Sequence, residues 1–215
     1  MNMEFPSLPP KTVERLSQYR RILISCSQDG RTHIFSHELA AKLSNTPVQV
    51  RRDIMLVGYT GNLRKGYDVL ELAERIGEVI DACETLRVAL IGAGKLGTAV
   101  LSYFKGKRSK IEIVACFDVA PEKLGKRFEG VLCYHQNELP ERITELNISM
   151  AILALPTEFA NDAAKVLVEN DIKGILNYTS ANLNIPETIY LEQYDMVTSI
   201  EKVAYFVKQS KIANQ

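Results

Sequence analysis

The sequence predicts an α/β protein in which an N-terminal winged helix-turn-helix precedes a Rossmann-type doubly wound parallel sheet and a C-terminal domain-swapped helix. Three features carry this prediction: two parts of opposite charge, a glycine motif directly after an apolar strand, and alternating strand and helix patterns beyond that motif. We expect three segments: 1–82 with the helix-turn-helix and a linker helix, 83–194 with the Rossmann sheet, and 195–215 with the swapped helix.

The charge of the chain is zero in total but unevenly distributed. Its 215 residues hold 26 Lys and Arg against 26 Asp and Glu, and 46% are hydrophobic, which is typical of a globular protein and excludes a disordered one. Residues 1–67 contain ten basic and five acidic side chains, net +5, whereas the remainder contains 16 basic and 21 acidic, net −5. This asymmetry indicates a nucleic-acid-facing module joined to a second, acidic part.

The sequence carries no clear targeting, metal or disulfide signal. No stretch approaches the roughly 18 apolar residues of a membrane span, and residues 1–10 lack a signal-peptide pattern, so we expect a cytoplasmic protein without membrane contact. The four cysteines show no C-x-x-C spacing, which favours buried free thiols. The three histidines show no metal-ligand spacing, so no metal site is expected.

The first three predicted helices have the pattern of a helix-turn-helix. Residues 11–27 place apolar side chains at spacings of three and four, and a Gln-Asp-Gly turn ends that helix. Ser36 is the expected N-cap of a short helix over 37–43, and Thr46 caps a third helix that opens with Pro47. Two short helices joined by a tight turn are typical of proteins whose second helix enters the DNA major groove.

The third helix and the segment after it supply the candidate DNA contacts. The helix is expected to bury four apolar side chains, Val48, Val50, Ile54 and Val57. The glycine-punctuated segment 58–67 predicts a β-hairpin wing whose two tip cations suit the minor groove. The candidate DNA-binding residues are Thr46, Gln49, Arg51, Arg52, Arg64 and Lys65. The alternative is a solvated charged face beside an ordinary loop.

Beyond residue 67 a linker helix leads into a parallel sheet. Residues 68–84 form an amphipathic pattern, after which apolar strands alternate with helices. The expected strands and helices are 87–91, 96–104, 111–118, 131–134, 139–146, 150–155, 159–169 and 174–178. Near-continuous apolar strands separated by helices indicate a parallel sheet covered on both faces.

A G-x-G-x-x-G motif directly follows the first of these strands. Gly92 permits a tight turn, Gly94 lets the backbone approach a pyrophosphate, and Gly97 permits close packing of a helix whose N-terminus donates to phosphates. Asp118, 21 residues beyond Gly97 at the end of the second strand, is placed to accept ribose hydroxyls and to repel a 2′-phosphate. The motif therefore predicts NAD(H) in preference to NADP(H), with a glycine turn that binds no ligand as the alternative.

The cofactor is expected to be a signal and not a reactant. Only about 37 residues follow Tyr178, too few for a substrate domain, and His135 is expected on the adenosine half of the fold, so no catalytic residue is assigned. Lys123 and Arg127 could approach the adenosine but are expected to be solvated helix charges. A small NAD-dependent oxidoreductase and a regulator that binds CoA or another nucleotide are the alternatives.

The last predicted helix, 198–209, is apolar over more than half of its circumference, with Ile200, Val203 and Val207 on one face. Because the sheet is complete without this helix, we expect it to pack against a second subunit as an exchanged arm, which makes a homodimer. Packing back onto its own sheet is the alternative.

Taken together, these features resemble one family, the redox-sensing transcriptional repressor Rex, from residue 10 to residue 208. The resemblance is most specific at Arg15–Leu23, Val50–Asp53, Gly92–Gly97, Phe117–Val119, Lys173–Tyr178 and Asp195–Val197. Rex proteins are homodimers with a winged helix, a Rossmann domain and an exchanged C-terminal helix. The resemblance implies that NADH binding releases operator double-stranded DNA and that NAD+ permits binding, so that repression follows the NADH/NAD+ ratio.

The resemblance also implies roles for individual residues. Tyr103 would lie near the nicotinamide, and Arg21 and Asp195 would form a switch pair where sensor, partner helix and DNA-binding domain meet. Since oxidised nicotinamide carries a positive ring charge and the reduced ring does not, such a pair could form in one state only. The cofactor-binding residues so implied are Gly92, Ala93, Gly94, Lys95, Leu96, Gly97, Tyr103, Asp118, Pro156, Asn177 and Tyr178.

Two departures from the family pattern affect the expected sites. Leu56 and Val57 stand where the family has a Tyr-Phe pair, and the wing is altered over 59–65, so the operator sequence stays open. Ser180 replaces a proline that often follows the Asn-aromatic pair, which alters the expected floor of the nicotinamide pocket.

Overall fold

The structure, a computed structural model, describes residues 8–104 and 110–213, with side chains through 210. The chain divides into two compact units, 1–83 and 84–215. The division lies one residue from the expected end of the linker segment, whereas a separate role for 195–215 stays a prediction.

The first unit is a small helical domain with a two-stranded sheet. Its elements are α1 (Pro10–Gln28), β1 (His33–Ile34), α2 (Ser36–Lys42), α3 (Pro47–Leu56), β2 (Tyr67–Asp68) and α4 (Val69–Ile80). Leu16 and Leu23 of α1 and Leu72 and Ile76 of α4 are fully buried, because both helices repeat apolar residues at helical spacing. β1 and β2 pair antiparallel, with His33 opposite Asp68 and Ile34 opposite Tyr67, a pairing that the sequence did not predict.

A buried carboxylate ties α3 to α1. Asp53 is 0% exposed, and its oxygens accept two hydrogen bonds from Arg15, both 2.7 Å, one of 2.9 Å from the Tyr19 hydroxyl, and one of 2.9 Å from the Gln49 amide. Burial alone raises the pKa of the Asp53 carboxyl, but the hydrogen bonds from Arg15, Gln49 and Tyr19 together hold it below its usual range. The carboxylate therefore stays ionised and fixes the rotation of α3.

Two predictions in this unit were wrong. Phe35, not Ser36, is the N-cap of α2, and its backbone N–H donates to Glu38 at 2.7 Å, while the Ser36 hydroxyl accepts from Arg51. Val48 is 49% exposed and does not pack inward, because the bonds of Asp53 hold α3 with Val50 and Ile54 facing the core.

The predicted wing is present as a short loop closed by a single bridge. Asn62 and Gly66 exchange two backbone hydrogen bonds of 2.7 Å, and the Asn62 side chain accepts from the backbone N–H groups of Arg64 and Lys65 at 2.8 and 3.2 Å. An Asn side chain that accepts hydrogen bonds from the backbone two and three residues later can order a turn even where no longer pair of strands forms. The two cations therefore project from an ordered tip.

The second unit is a seven-stranded sheet in the strand order β5-β6-β4-β3-β7-β8-β9, and all pairs except β5 with β6 are parallel. Its elements are β3 (Leu86–Ile91), α5 (Lys95–Phe104), β4 (Ile111–Asp118), β5 (Arg127–Phe128), β6 (Val131–His135), α6 (Leu139–Glu145), β7 (Met150–Leu153), α7 (Ala160–Glu169), β8 (Gly174–Asn177), β9 (Tyr190–Gln193) and α8 (Met196–Ala213). Apart from β5, this is the Rossmann order, whose direction reverses between β3 and β7. The predicted doubly wound sheet is thus confirmed.

The described residues were examined for disulfides, for metal sites and for helices that could span a membrane. All four cysteines are free; Cys26, Cys116 and Cys133 are buried and Cys83 is exposed. Burial raises the pKa of the Cys116 and Cys133 thiols, so they pack as small apolar groups. Across 8–104 and 110–213, no group of three His, Cys, Asp or Glu could hold a metal ion. Within the same ranges, no helix has the length and apolar character needed to span a bilayer.

Candidate functional sites

The turn between β3 and α5 requires glycine at two positions. Gly92 has φ +99°, and a Cβ there would lie 2.5 Å from the Ala154 carbonyl oxygen. A Cβ on Gly97 would lie 1.9 Å from the Gly92 carbonyl oxygen, so only glycine lets α5 approach the strand this closely. Both roles agree with those that the motif predicts.

Gly94 differs from these two because a Cβ there would meet nothing within 4 Å. Its carbonyl accepts the Thr98 N–H at 2.9 Å, which makes it the first residue of the α5 ladder. The open space therefore lies at the N-terminus of a ten-residue helix, where backbone N–H groups and the helix dipole favour an anion. This geometry fits a dinucleotide pyrophosphate.

A cavity of about 370 Å³ lies outside the carboxyl ends of β3, β4 and β7, where the strand order reverses. Ligands of open α/β sheets bind at this position. Four of the predicted cofactor residues line it: Gly92, Gly94, Asp118 and Pro156.

Asp118, the predicted acceptor of the ribose hydroxyls, lines the cavity and is hydrogen-bonded within the protein. One oxygen accepts from the Ala93 N–H at 2.9 Å and from the Lys123 ammonium at 2.7 Å, and the other accepts from the Ala120 N–H at 2.9 Å. Burial by itself raises the pKa of Asp118, but the bonds from Lys123, Ala120 and Ala93 hold it below its usual range. Asp118 is therefore an ionised acceptor.

Lys123 was assigned wrongly from the sequence as a solvated helix charge. It ends a single 3-10 turn, Pro121–Lys123, which directs its side chain back to Asp118, and it lines the cavity. Its ammonium offsets part of the Asp118 charge, so the carboxylate repels a 2′-phosphate less than an unpaired one would. Gln136 and Phe159 also line the cavity, and no spacing rule pointed to them.

The other predicted cofactor residues are not among those that line the cavity. Lys95 and Leu96 form the first turn of α5, with Lys95 exposed. Tyr103 is 60% exposed, and the Tyr178 ring packs edge-on against Tyr194 with centroids 5.3 Å apart.

Asn177, a predicted cofactor-binding residue, has a side chain that is hydrogen-bonded within the protein. Its amide donates to the Ala181 carbonyl and the Gln193 side chain, at 3.1 and 2.9 Å. Its oxygen accepts from the N–H and hydroxyl of Thr179, at 2.9 and 2.8 Å. With all four bonds made inside the protein, this buried side chain holds the loop after β8 against β9.

His135 ends β6 and has a structural role. Its ring Nδ1 accepts the Asn137 N–H at 3.1 Å, so it caps the 3-10 turn Gln136–Glu138. This occupied nitrogen gives no support to the alternative in which His135 acts as a catalytic acid.

The outward face of α3 and the wing tip form the candidate nucleic-acid face. Arg51 donates to the Ser36 hydroxyl at 3.2 Å, and Arg52 is exposed with no ion pair within the described part of the chain. The Thr46 hydroxyl accepts the Gln49 N–H at 3.1 Å, so Thr46 is the N-cap that the sequence predicts. Gln49 was predicted to face outward, but its amide is turned inward to Asp53.

Comparison with known proteins identifies the family. A protein named "Redox-sensing transcriptional repressor Rex" from Anoxybacillus flavithermus is 38% identical over 208 residues, which cover 97% of this chain and 98% of that protein. A protein of the same name from Geobacillus kaustophilus is also 38% identical over 208 residues and 97% of each chain. The chain belongs to the Rex family.

Models of known domains and solved structures agree with membership in Rex. Residues 84–181 match the model described as "CoA binding domain", and 7–54 match "Putative DNA-binding protein N-terminus". The crystal structure of RSP in complex with β-NAD+ and operator DNA has a TM-score of 0.88 at 27% identity, covering 97% of this chain and 96% of that chain. RSP in complex with β-NADH has a TM-score of 0.86 at 26% identity, covering 97% and 98%.

The two residues predicted to form a switch pair lie in different units, Arg21 in the middle of α1 and Asp195 directly before α8. Arg21 is an exposed residue of α1. Asp195 caps α8: one oxygen accepts from the backbone N–H groups of Val197 and Thr198 at 2.9 and 3.3 Å, and the other from the Thr198 hydroxyl at 2.6 Å. The Thr198 hydroxyl bond, with those backbone bonds, lowers the pKa of Asp195. This capping role was missed from the sequence, although an Asp before an apolar helix is its usual signal.

Two glycine variants separate fold from ligand binding. We expect Gly94→Ala to leave thermal unfolding unchanged but to weaken NADH binding roughly tenfold or more, because its Cβ enters the phosphate space. Gly97→Ala should instead lower the unfolding temperature, because its Cβ meets the Gly92 carbonyl. Scanning calorimetry measures the unfolding temperature of each variant, and titration with NADH measures its affinity for the ligand. Wild-type NADH affinity in Gly94→Ala would contradict the phosphate assignment.

Proposed function

We propose that this chain is a DNA-binding transcriptional repressor that senses the NADH/NAD+ ratio, and that NADH binding releases it from operator DNA. The observation that carries the proposal is the combination, in one Rex-family chain, of a cationic face on α3 and the wing with a Rossmann cavity. The similar RSP structures, one with NAD+ and operator DNA and one with NADH, support this direction of the switch.

Different residues of the cavity bind different parts of NAD(H). The N-terminus of α5 beside Gly94 holds the pyrophosphate, and Asp118, oriented by Lys123, accepts the ribose hydroxyls. The nicotinamide supplies the signal, since its ring is positively charged only when oxidised. A ligand shifts the equilibrium between two domain orientations only by its difference in affinity for them.

The DNA-binding face combines a helix for the major groove and a tip for the minor groove. Arg52 of α3 suits the O6 and N7 acceptors of guanine, and Arg64 and Lys65 suit a narrow minor groove. Arg51 can contact phosphate. Because these cations lie within the part of the chain that carries a net charge of +5, we expect strong salt dependence.

Two alternative functions receive less support. The full-length relatives are named as repressors, which disfavours the small oxidoreductase. The match to a CoA binding domain keeps CoA as a competitor for the cavity, but a single carboxylate at the ribose position favours a nucleotide without a 2′- or 3′-phosphate there. A transcriptional repressor must reach its operator DNA, and we therefore propose that the protein acts in the cytoplasm.

The deciding experiment is a gel shift with a promoter fragment, titrated with NADH, NAD+ and CoA at several salt concentrations. We expect NADH to weaken DNA binding more than NAD+ or CoA does. Arg52→Ala should lower DNA affinity roughly tenfold or more while leaving NADH affinity intact. Asp118→Ala should weaken NADH binding and leave ligand-free DNA affinity intact, so each variant is the control for the other. Equal effects of NADH and NAD+ on wild type would refute the sensor.

We also propose that the chain forms a homodimer through α8. Every described side chain of α8, residues 196–210, is exposed, including Ile200 at 69%, Val203 at 63% and Phe206 at 63%. Apolar side chains in such number rarely remain in water, and a second copy offers an identical helix to cover them.

The dimer is tested by adding one negative charge to an apolar position of α8 and, as the control, to a polar position. We expect Phe206→Asp to convert the protein from dimer to monomer in sedimentation velocity and to weaken binding to a two-fold symmetric site. Gln209→Asp adds the same charge to an exposed polar position and should remain dimeric. A dimeric Phe206→Asp protein, or a monomeric wild type, would exclude this interface.

The proposed switch pair is tested with variants of Asp195 that separate the negative charge of its side chain from its role as the N-cap of α8. Asn caps helices as well as Asp does, so Asp195→Asn should keep α8 and both ligand affinities but reduce the effect of NADH on DNA binding roughly tenfold. Asp195→Ala should lose helicity as well, measured by circular dichroism. If Asp195→Asn keeps wild-type NADH sensitivity, Asp195 acts only as a cap.

A further inference from the structure

Val48 occupies the position of α3 where a DNA-reading side chain is expected. It is the second residue of the helix, after Pro47, and half of its surface is exposed. The N-terminal residues of a recognition helix contact base edges in the major groove. An exposed, stiff, apolar side chain at this position has no hydrogen bond to offer a base.

The polar side chains near Val48 form hydrogen bonds within the protein, whereas Val48 in the first turn of α3 points outward. The Gln49 amide donates to Asp53 at 2.9 Å, and Arg51 donates to Ser36 at 3.2 Å. Helical spacing of four and three places Val48, Arg52 and Met55 on one face, and all three are exposed. This face therefore has a cation between two apolar groups.

We propose that Val48 contacts the 5-methyl group of a thymine in the operator, and so determines part of its specificity. The thymine methyl is the only apolar group that bases present in the major groove, and Arg52 one turn away suits guanine. Four residues of helix rise about 6 Å and base pairs stack about 3.4 Å apart, which places this thymine within about two base pairs of the guanine. The inference rests on the proposed function, because it requires DNA binding through α3.

The experiment removes the methyl group alone. Duplexes that bind the full chain are first selected from a random library, and each thymine of the selected site is then replaced by deoxyuridine. We expect wild type to lose roughly fourfold in affinity at one thymine, the effect of exposing one methyl-sized group. Val48→Ala should bind the thymine site more weakly and be insensitive to deoxyuridine at that same position.

Leu70→Ala is the matched control, since Leu70 is a 65% exposed apolar residue on α4 of the same unit. It should retain the wild-type response to every deoxyuridine. If Val48→Ala keeps the wild-type loss at each thymine, or wild type shows none, the assignment is overturned. Failure of the selection to enrich any duplex would count against DNA binding itself, and so is distinguishable from failure of the thymine contact alone.

Discussion

The arrangement of the DNA-binding unit depends on one buried carboxylate. Asp53 has no exposed surface and is surrounded by donors from α1 and α3, including both arms of the Arg15 guanidinium. An ionised group in such a place is tolerated only because its bonds replace water, and removing one partner of a buried pair typically costs about 3–5 kcal/mol. Because Gln49 is one of those donors, the same interaction turns Gln49 inward and Val48 outward. The core of the domain thus determines which side chains α3 can offer to a base.

The second unit depends on a steric constraint, the close approach of the backbones at Gly92 and Gly97. This contact brings the N-terminus of α5 over the end of the sheet, while Gly94 between them leaves space. Helix dipole, free N–H groups and an empty volume then coincide at the point where the strand order reverses. Asp118 lies beside this point, because Phe117 of β4 pairs with Ile91 at the end of β3 and β4 continues for one more residue.

The parts of the fold that follow from local patterns could be predicted from the sequence. Continuous apolar strands, the glycine motif and the Thr46-Pro47 cap are local signals, and the structure contains each of them. Side-chain direction is set by contacts between distant residues, and here prediction was wrong for Gln49, Val48 and Lys123. Asp53 lies 38 residues from Arg15, so no spacing rule could pair them. Lys123 returns to Asp118 because a 3-10 turn, not the expected helix, follows β4.

Asp195 must serve two requirements if the proposed switch operates. As the cap of α8 it satisfies backbone N–H groups with one oxygen and the Thr198 hydroxyl with the other. A carboxylate oxygen has more than one lone pair, so an arginine can join without breaking the cap, and its attraction adds to the bonds already present. The gain from such an exposed pair is modest, which suits a sensor, since allosteric effects of about 5–150-fold suffice to regulate binding. A stronger pair would lock the repressor in one state at every NADH/NAD+ ratio.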